Sequence, residues 1–394
     1  MKKWILSILL SFFMLTGCWD MLDTQDIQYI TAIGIDYEDG EYIVYVQSLN
    51  FGHLSVIDTS NSSNENPGAW VGKAKGETIL LALDNLYPKT NQEVHWGHVN
   101  AIVYSENVLD FAPLIEINEA LYRYQQIRVT PWVFATNDNI SDILLVTNMF
   151  GDSVHTELFD PDSIFKERSY IEPIALNQLM RDYPEFGRSV KLPNIDLVQN
   201  EWHSSNGKTN NALNLNGAYI LKGGKKPVYY NENELSGLRW LKSKTSETPL
   251  LIKENGKKIA LLNIIRPEAH IASEVDGTQV YYDVKIKGTA ALQDFPPSHE
   301  LGASKKINEL TQLLGEEMEE QIRATYLLGL KSDKDVYDLE NIFYRQHVKA
   351  YKSLPSPFQL NETSLRSIKV DIQIGHTGEY EFYRDRVPRS EQGK

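Results

Sequence analysis

One thiol is present in this 394-residue chain, that of Cys18, and it follows directly on an apolar N-terminal run. No intrachain disulfide can form, and no cysteine cluster can hold zinc or an iron–sulfur centre. The fold must be held by buried side chains alone, which a chain of this length can supply as two or three domains at roughly 150 residues each. Acidic residues outnumber basic ones, 53 against 39, for a formal net charge of -14. That excess opposes nonspecific attraction to phosphate backbones and anionic headgroups, so no nucleic-acid partner is expected. A mean hydropathy of -0.37 does not suit a multi-span membrane protein.

The first residues have the layout of a secretory signal. Met1, Lys2 and Lys3 give a positive start, and Trp4 to Leu15 is an apolar run of about twelve residues, too short for a bilayer that needs about twenty. Leu15-Thr16-Gly17-Cys18 then resembles a bacterial lipobox, in which the thiol accepts a diacylglyceryl group and the cysteine becomes the mature N-terminus. Residues 1–17 are therefore expected to be a removed lipoprotein signal peptide, with Cys18 the lipidation site. Loss of Lys2 and Lys3 leaves 37 basic against 53 acidic residues, a net charge of -16. Two or three acyl chains, at about 0.8 kcal/mol per buried methylene, anchor a chain stably. No later apolar run reaches the ~18 residues of a span, so the remainder reads as a soluble body tethered to the outer face of a membrane.

Strand and helix patterns alternate along that body. Ile27 to Asp36 and Tyr42 to Leu49 predict a hairpin turned at Asp39-Gly40, and Ser55 to Gly72 reads as an exposed loop. A helix is expected over Glu77 to Leu86, a strand over Val99 to Tyr104, a helix over Phe111 to Tyr124 and a strand over Arg128 to Ala135. The polar stretch Asn200 to Ala212 is the best candidate for a linker. Beyond it come a hairpin (Ala212 to Leu221 with Lys225 to Tyr230) and a helix near Glu232 to Lys242. Strands follow at Ile259 to Ile265 and Thr278 to Lys287. Ser304 to Leu328 carries an apolar stripe of Ile307, Leu310, Leu314, Met318 and Ile322, with Gly329 as cap. A helix from Asp335 to about Tyr351 and a strand through Ile368, Val370, Ile372 and Ile374 close the chain. The fold class is α+β and multi-domain, with mixed or antiparallel sheets each flanked by helices.

Catalytic motifs are absent: there is no phosphate-cradling loop, nucleophile elbow, HExxH helix or dinucleotide fingerprint. His95 and His98 flank Trp96-Gly97, and the glycine argues against a helix that would align two ligands, so a structural role is expected rather than a metal site. Asp160, Asp162, Glu167 and Glu172 lie close in sequence, as chance allows in so acidic a chain, and read as a solvated loop. Glu316, Glu317, Glu319 and Glu320 read as an exposed helix face, with a docking face for a basic partner as the other possibility. Arg123 and Arg128 are expected to pair with internal carboxylates rather than bind an anion. Asn61, Asn139 and Asn361 begin N-x-[ST] matches, which carry little weight in a bacterial lipoprotein.

Several stretches resemble the Ger(x)C lipoproteins, the C subunits of nutrient germinant receptors in bacterial endospores. Gly17-Cys18-Trp19-Asp20, Asp26-Ile27 and Ala32-Ile33-Gly34-Ile35-Asp36 are similar to the family's opening, and Gln47 fits the next strand. Gly76 to Leu86, His98 to Glu106, Leu121-Tyr122-Arg123 with Ile127-Arg128-Val129-Thr130, and Leu215-Asn216-Gly217-Ala218-Tyr219 follow in the family's order. Ala324 to Leu330, Asp335-Val336-Tyr337 and Val370 to Ile374 with Gly378 complete it. Two departures stand out: Met21 to Asp26 replaces the usual Arg and Glu after the Trp-Asp pair, and no aspartate follows Arg123. The resemblance implies a three-domain lipoprotein at the outer face of the inner spore membrane, divided here as 18–205, 206–265 and 266–394. It implies as partners a multi-span A subunit and a multi-span B subunit, with the small-molecule germinant recognised by B. It implies no enzymatic activity and no cofactor, and carries over no residue role beyond lipidation of Cys18. The competing readings are a solute-binding lipoprotein of a transporter, which predicts two doubly wound lobes around a cleft, and an envelope hydrolase.

Overall fold

The computed structural model describes residues 27–49, 69–90, 92–124, 127–146, 158–167, 171–203, 205, 209–223, 225–241, 247–294, 303–354 and 358–375. Cys18 and the expected signal peptide lie outside the described residues, as do Asn61 and most of the loop expected over 55–72.

β1 (Ile27–Glu38) and β2 (Glu41–Leu49) form the expected hairpin. Asp39 and Gly40 turn it with φ of 54° and 86°, the pair of left-handed residues that a type I′ turn needs. β3 (Ala69–Gly76) then pairs with β2, so a strand occupies the end of the expected loop. Its glycines and lysines mask the apolar alternation that would have revealed it. α1 (Ile79–Asp84) is capped by Thr78, whose hydroxyl accepts the Leu81 N–H at 3.2 Å.

After β4 (Glu93–His95) and β5 (Ala101–Ser105) comes α2 (Glu106–Phe111), a further helix; the helix expected over 111–124 starts only after Pro113, as α3 (Leu114–Arg123). A residue before proline is pushed to extended backbone, and Ala112 adopts φ -110° and ψ 148°. Phe111 is consequently 71% exposed and Ile115 46%, while Leu114, Ile117, Asn118 and Leu121 turn inward. The chain continues through β6 (Trp132–Thr136), α4 (Ile140–Leu145), α5 (Pro161–Glu167), β7 (Ile174–Ala175), α6 (Leu176–Asp182), β8 (Val190–His203), β9 (Thr209–Lys222) and β10 (Lys225–Tyr230).

These strands make one ten-stranded sheet in the order β10-β9-β8-β6-β5-β1-β2-β3, with β4 beside β1 and β7 beside β6. β1, β5, β6 and β8 run parallel through its centre, and antiparallel hairpins flank them. Ile33, Ile35, Val44 and Tyr104 bury one face beneath α1, α3 and α6; Ala32, Ile43, Val103 and Phe134 bury the other beneath α4. Within 200–212, read from composition as a linker, residues 200–203 and 209–212 belong to β8 and β9, with Trp202 opposite Asn210. The sheet thus continues past residue 205.

The helix expected near 232–242 reduces to turns and α7 (Leu238–Leu241). β11 (Glu247–Glu254), β12 (Lys257–Asp276), β13 (Gln279–Asp294) and β14 (Leu365–Gly375) form a second sheet in that order, with β13 and β14 parallel. In β13 the alternation read from sequence holds: Val280, Tyr282, Val284 and Ile286 are buried. α8 (Ala303–Lys331) lays Leu310, Leu314, Met318 and Ile322 on this sheet and runs two residues past the expected cap at Gly329. The following helix is shorter than expected. Asp338 is left-handed, φ 54°, so α9 (Leu339–Gln346) starts only after it, and His347 at φ -138° separates α9 from α10 (Val348–Ser353).

Gly217 shows why glycine stands in the Leu215–Tyr219 stretch. β9 carries one more residue than β8 between the pairs Pro193–Ala218 and Ile195–Leu215, a bulge that Gly217 passes at φ 79°. A Cβ there would stand 2.1 Å from the Tyr230 carbonyl oxygen. Gly217→Ala is expected to destabilise the protein by about 3 kcal/mol or more through strain and backbone clash, read as a lowered urea midpoint, whereas Gly40→Ala, with open space around it, costs about 1–2 kcal/mol.

Candidate functional site at the seam between the two sheets

Charged side chains are seldom fully buried unless paired, and this chain collects several where its two halves meet. The turn Phe186-Gly187-Arg188-Ser189 enters β8, and Ser332 to Asp338 links α8 to α9, whose first turn carries Glu340 and Asn341. The Asp338 carboxylate accepts the Ser189 N–H at 2.8 Å and Lys191 Nζ at 2.6 Å, and Lys191 also donates to the Ser189 carbonyl at 2.7 Å. The side chains of that pair are only 15% and 6% exposed. Lys222 meets Glu340 at 2.7 Å, and the Tyr351 hydroxyl donates to the same carboxylate at 2.8 Å. Asn341 closes the seam, its amide donating to the Phe186 carbonyl at 2.7 Å and its backbone N–H to that of Gly187 at 3.2 Å. Gly187, at φ 67°, leaves no room for a Cβ, which would stand 2.9 Å from the Asn341 nitrogen.

Two groups in the seam carry shifted pKa values. Burial, and then the neighbouring Asp338, raises the Asp335 carboxyl above the ordinary carboxylate range. One of its oxygens accepts the Glu340 N–H at 2.8 Å; the other is buried without a hydrogen-bond partner among the described residues. Burial and the nearby Lys225 push Lys334 down to about 8. Its ammonium donates to the Lys226 carbonyl at 2.5 Å.

Beside the seam lies a cavity of about 110 Å³ bordered by Gln178, Asp182, Arg188, Ser189, Lys191 and Asp338. Sites for drug-sized ligands run to roughly 300–1,000 Å³, so this space suits a few waters or a very small solute. Paired charges and backbone caps here set how one half sits on the other.

The residues singled out from sequence are scattered relative to this seam. His95 and His98 both meet Tyr29 in T-shaped ring contacts, at centroid distances of 6.0 and 4.8 Å, and His95 also lies 3.4 Å from Glu93. Among the described residues no group of three His, Cys, Asp or Glu could hold a metal ion. Glu172 borders the cavity, Asp160 and Asp162 lie at the start of α5, and the Glu167 side chain lies outside the described residues. Glu316, Glu317 and Glu319 accept hydrogen bonds from Gln312, Gln321 and Arg323 of their own helix, and Glu320 is exposed. Arg123 pairs at 2.9 Å with exposed Glu119 one turn earlier, correcting the internal partner expected for it, and Arg128 is exposed. Asn139 caps α4 and Asn361 accepts the Thr363 N–H, so both N-x-[ST] matches serve local turns. Sequence reading passed over Lys191, Asp338 and Glu340; the available signal was the run Asp333-Lys334-Asp335 beside Asp338, dense in charge between two apolar helices.

Asp338→Ala is expected to cost about 3–5 kcal/mol in urea unfolding, because it strands the Lys191 charge. The double change Asp338→Leu with Lys191→Met is expected to cost much less. Below the ordinary carboxylate pKa, Asp335 is protonated in both folded and unfolded chains. As pH rises towards the raised value, only the unfolded chain releases its proton, so stability from this group is full in acid and is lost through the raised pKa. Asp335→Asn is therefore expected to flatten that decline and to equal or exceed the parent Tm at neutral pH. Lys334 acts in the other direction, its contribution rising from about pH 8 upward as the buried amine becomes neutral.

Comparison with known proteins places the whole chain. Residues 20–197 match the family model described as the spore germination protein N-terminal domain, and residues 216–378 the one described as spore germination B3/GerAC-like, C-terminal. Spore germination protein KC of Bacillus subtilis (strain 168) is 21% identical, over 96% of each chain. Spore germination protein GerQC of Bacillus cereus is also 21% identical, over 96% of this chain and 99% of its own. The crystal structure of the GerBC protein shares the fold at 13% identity, with a TM-score of 0.54 over 87% of this chain and 96% of that one. This chain belongs to the Ger(x)C family of spore germination proteins.

Proposed function

We propose that this protein is the C subunit of a nutrient germinant receptor, anchored through lipidated Cys18 to the outer face of the inner spore membrane. There it supports assembly with the multi-span A and B subunits and passage of the germination signal. The observation that carries the reading is positional. The family match opens at Asp20, two residues after the only cysteine, and runs to residue 378. No helix among the described residues is long and apolar enough to cross a membrane.

A subunit without enzymatic activity, whose germinant is bound elsewhere in the receptor, suits a molecule whose seam cavity is so small. The solute-binding reading gains no support. It asks for two doubly wound lobes, and the second sheet here is a largely antiparallel layer of four strands.

Spores of the wild type, a deletion strain and a Cys18→Ala strain test the proposal through dipicolinic acid release on a panel of nutrients. Deletion is expected to abolish release for particular nutrients while a non-nutrient trigger still works, and Cys18→Ala to weaken it. Equal germination of all three strains, in a background lacking the other receptors, would overturn it.

A further inference from the structure

No acidic residue occurs between Glu340 and Glu362, although the chain holds 53 of them. That stretch builds most of α9 and all of α10, and it carries Arg345, Lys349 and Lys352, each exposed. Asn341, Tyr344 and Arg345 fall on one side of α9 by their three- and four-residue spacing, and that side meets the seam turn. Asn341 bonds the Phe186 carbonyl at 2.7 Å, and the Tyr344 ring lies 5.4 Å from that of Phe186. Tyr351 of α10 completes a cluster of three rings, 5.3 Å from Phe186 and 5.4 Å from Tyr344. Val348, Tyr351 and Lys352 share a face of α10 by the same spacing, and Lys349 stands three residues before Lys352. Despite these contacts Phe186 is 51% exposed and Val348 41%. The turn itself adds little net charge: Arg181 and Arg188 both pair with Asp182, at 2.6 and 3.2 Å, and Glu185 is exposed beside Phe186.

Position indicates what covers this surface. Asn194 is level with Ala135, Tyr104 and Ile35 across parallel strands, so the turn that precedes β8 lies at the end of the first sheet where β1 begins. Three strand spacings, about 14 Å, separate β8 from β1. Eight residues separate Cys18 from Ile27, a reach of at most about 30 Å. A chain anchored at Cys18 thus keeps a bilayer surface near this face at high effective concentration. The acidic excess of the whole chain is repelled by anionic lipid, and a local cationic face turns the body so that its acids point away. An exposed aromatic ring among long-stemmed cations suits a headgroup layer. The ring stands on a turn rather than in a groove, which is a poorer seat for an acidic peptide.

We propose that the face formed by Phe186, Tyr344 and Val348 with Arg345, Lys349 and Lys352 rests on the anionic headgroup layer of the bilayer that holds the anchor. The proposal depends on the reading of Cys18 as the anchor, and it sets the seam turn against the membrane.

The chain from Cys18 onward is coupled through its single thiol to a maleimide phospholipid in vesicles of phosphatidylcholine, with or without phosphatidylglycerol. Its lysines are then reductively methylated and mapped by mass spectrometry. Lys349 and Lys352 are expected to react several-fold more slowly on the phosphatidylglycerol vesicles, and high salt to remove the difference. Lys257 and Lys258, at the end of β12 remote from Ser273, which Gln346 contacts, are expected to react alike on both. Phe186→Ser with Arg345→Glu is expected to restore the reactivity of Lys349 and Lys352, and Arg345→Glu alone to restore part of it with an unchanged urea midpoint. Equal reactivity on the two vesicles, equal protection of Lys257 and Lys258, or protection indifferent to both variants would each overturn the proposal. So would protection of the untethered chain by poly-glutamate with none from phosphatidylglycerol vesicles, which assigns the face to an acidic protein segment. Because the anchor is installed chemically, such a failure leaves the receptor reading standing; that reading falls only with the spore experiment.

Discussion

Where the two halves meet, β9 has no solvent face. Every residue from Gly217 to Leu221 is buried, with Tyr219 and Leu221 packed in the core under the first sheet and Ala218 and Ile220 in the core of the second. Side chains on a strand point alternately to opposite faces, so five residues become the shared wall of two cores. Neither half can slide or rotate without drawing β9 side chains out of contact, at roughly 25 cal/mol for each Å² of apolar surface exposed. The ladder to β8 on one side and β10 on the other holds the strand in place meanwhile. The bulge at Gly217 belongs to this constraint, since it lets the strand bend towards Tyr230 while keeping the alternation in register beyond it.

The charged seam adds a different kind of control. Apolar packing tolerates small shifts, whereas Asp338 must meet both the Ser189 N–H and Lys191, and Glu340 both Lys222 and Tyr351. Buried ion pairs contribute little net stability against well-packed apolar residues, because desolvation offsets most of the attraction, yet breaking one side is costly. A seam built this way accepts one docking geometry and penalises its neighbours. Asp335 sharpens the penalty: with one buried oxygen unpartnered among the described residues, it sits where a small displacement would change its solvation.

Local signals in the chain were legible and distant ones were not. Asp39-Gly40 announced its turn, the Val280 to Ile286 alternation its half-buried strand, and the Leu310 to Ile322 stripe its helix, because each depends on neighbours within a few residues. Phe111 misled because its apolar spacing continued into the next helix while Pro113 broke the backbone between them. β3 stayed hidden because an edge strand with two glycines and two lysines needs no apolar alternation to be held by β2. The pairing across the seam could not be read: the charge-dense run Asp333 to Asp338 marked one side, but Lys191 and Asp338 are 147 residues apart, and nothing local to either names the other. Cys18 was legible as a motif, and it lies outside the described residues.

Topology brings the tether and the seam to the same end of the molecule. β8 runs parallel to β1, and Asn194 is level with Ile35, so Val190 at the start of β8 is level with Thr31 near the start of β1. The seam turn, Phe186 to Ser189, is therefore on the side from which the N-terminus leaves. On the proposed anchoring, that side faces the bilayer, and a membrane-embedded partner needs no long lever to reach the joint between the halves. A displacement applied there acts on paired charges that hold one geometry, and β9 transmits it directly into both cores. On the proposed reading of a tethered subunit that relays a signal, that stiffness lies close to the anchor.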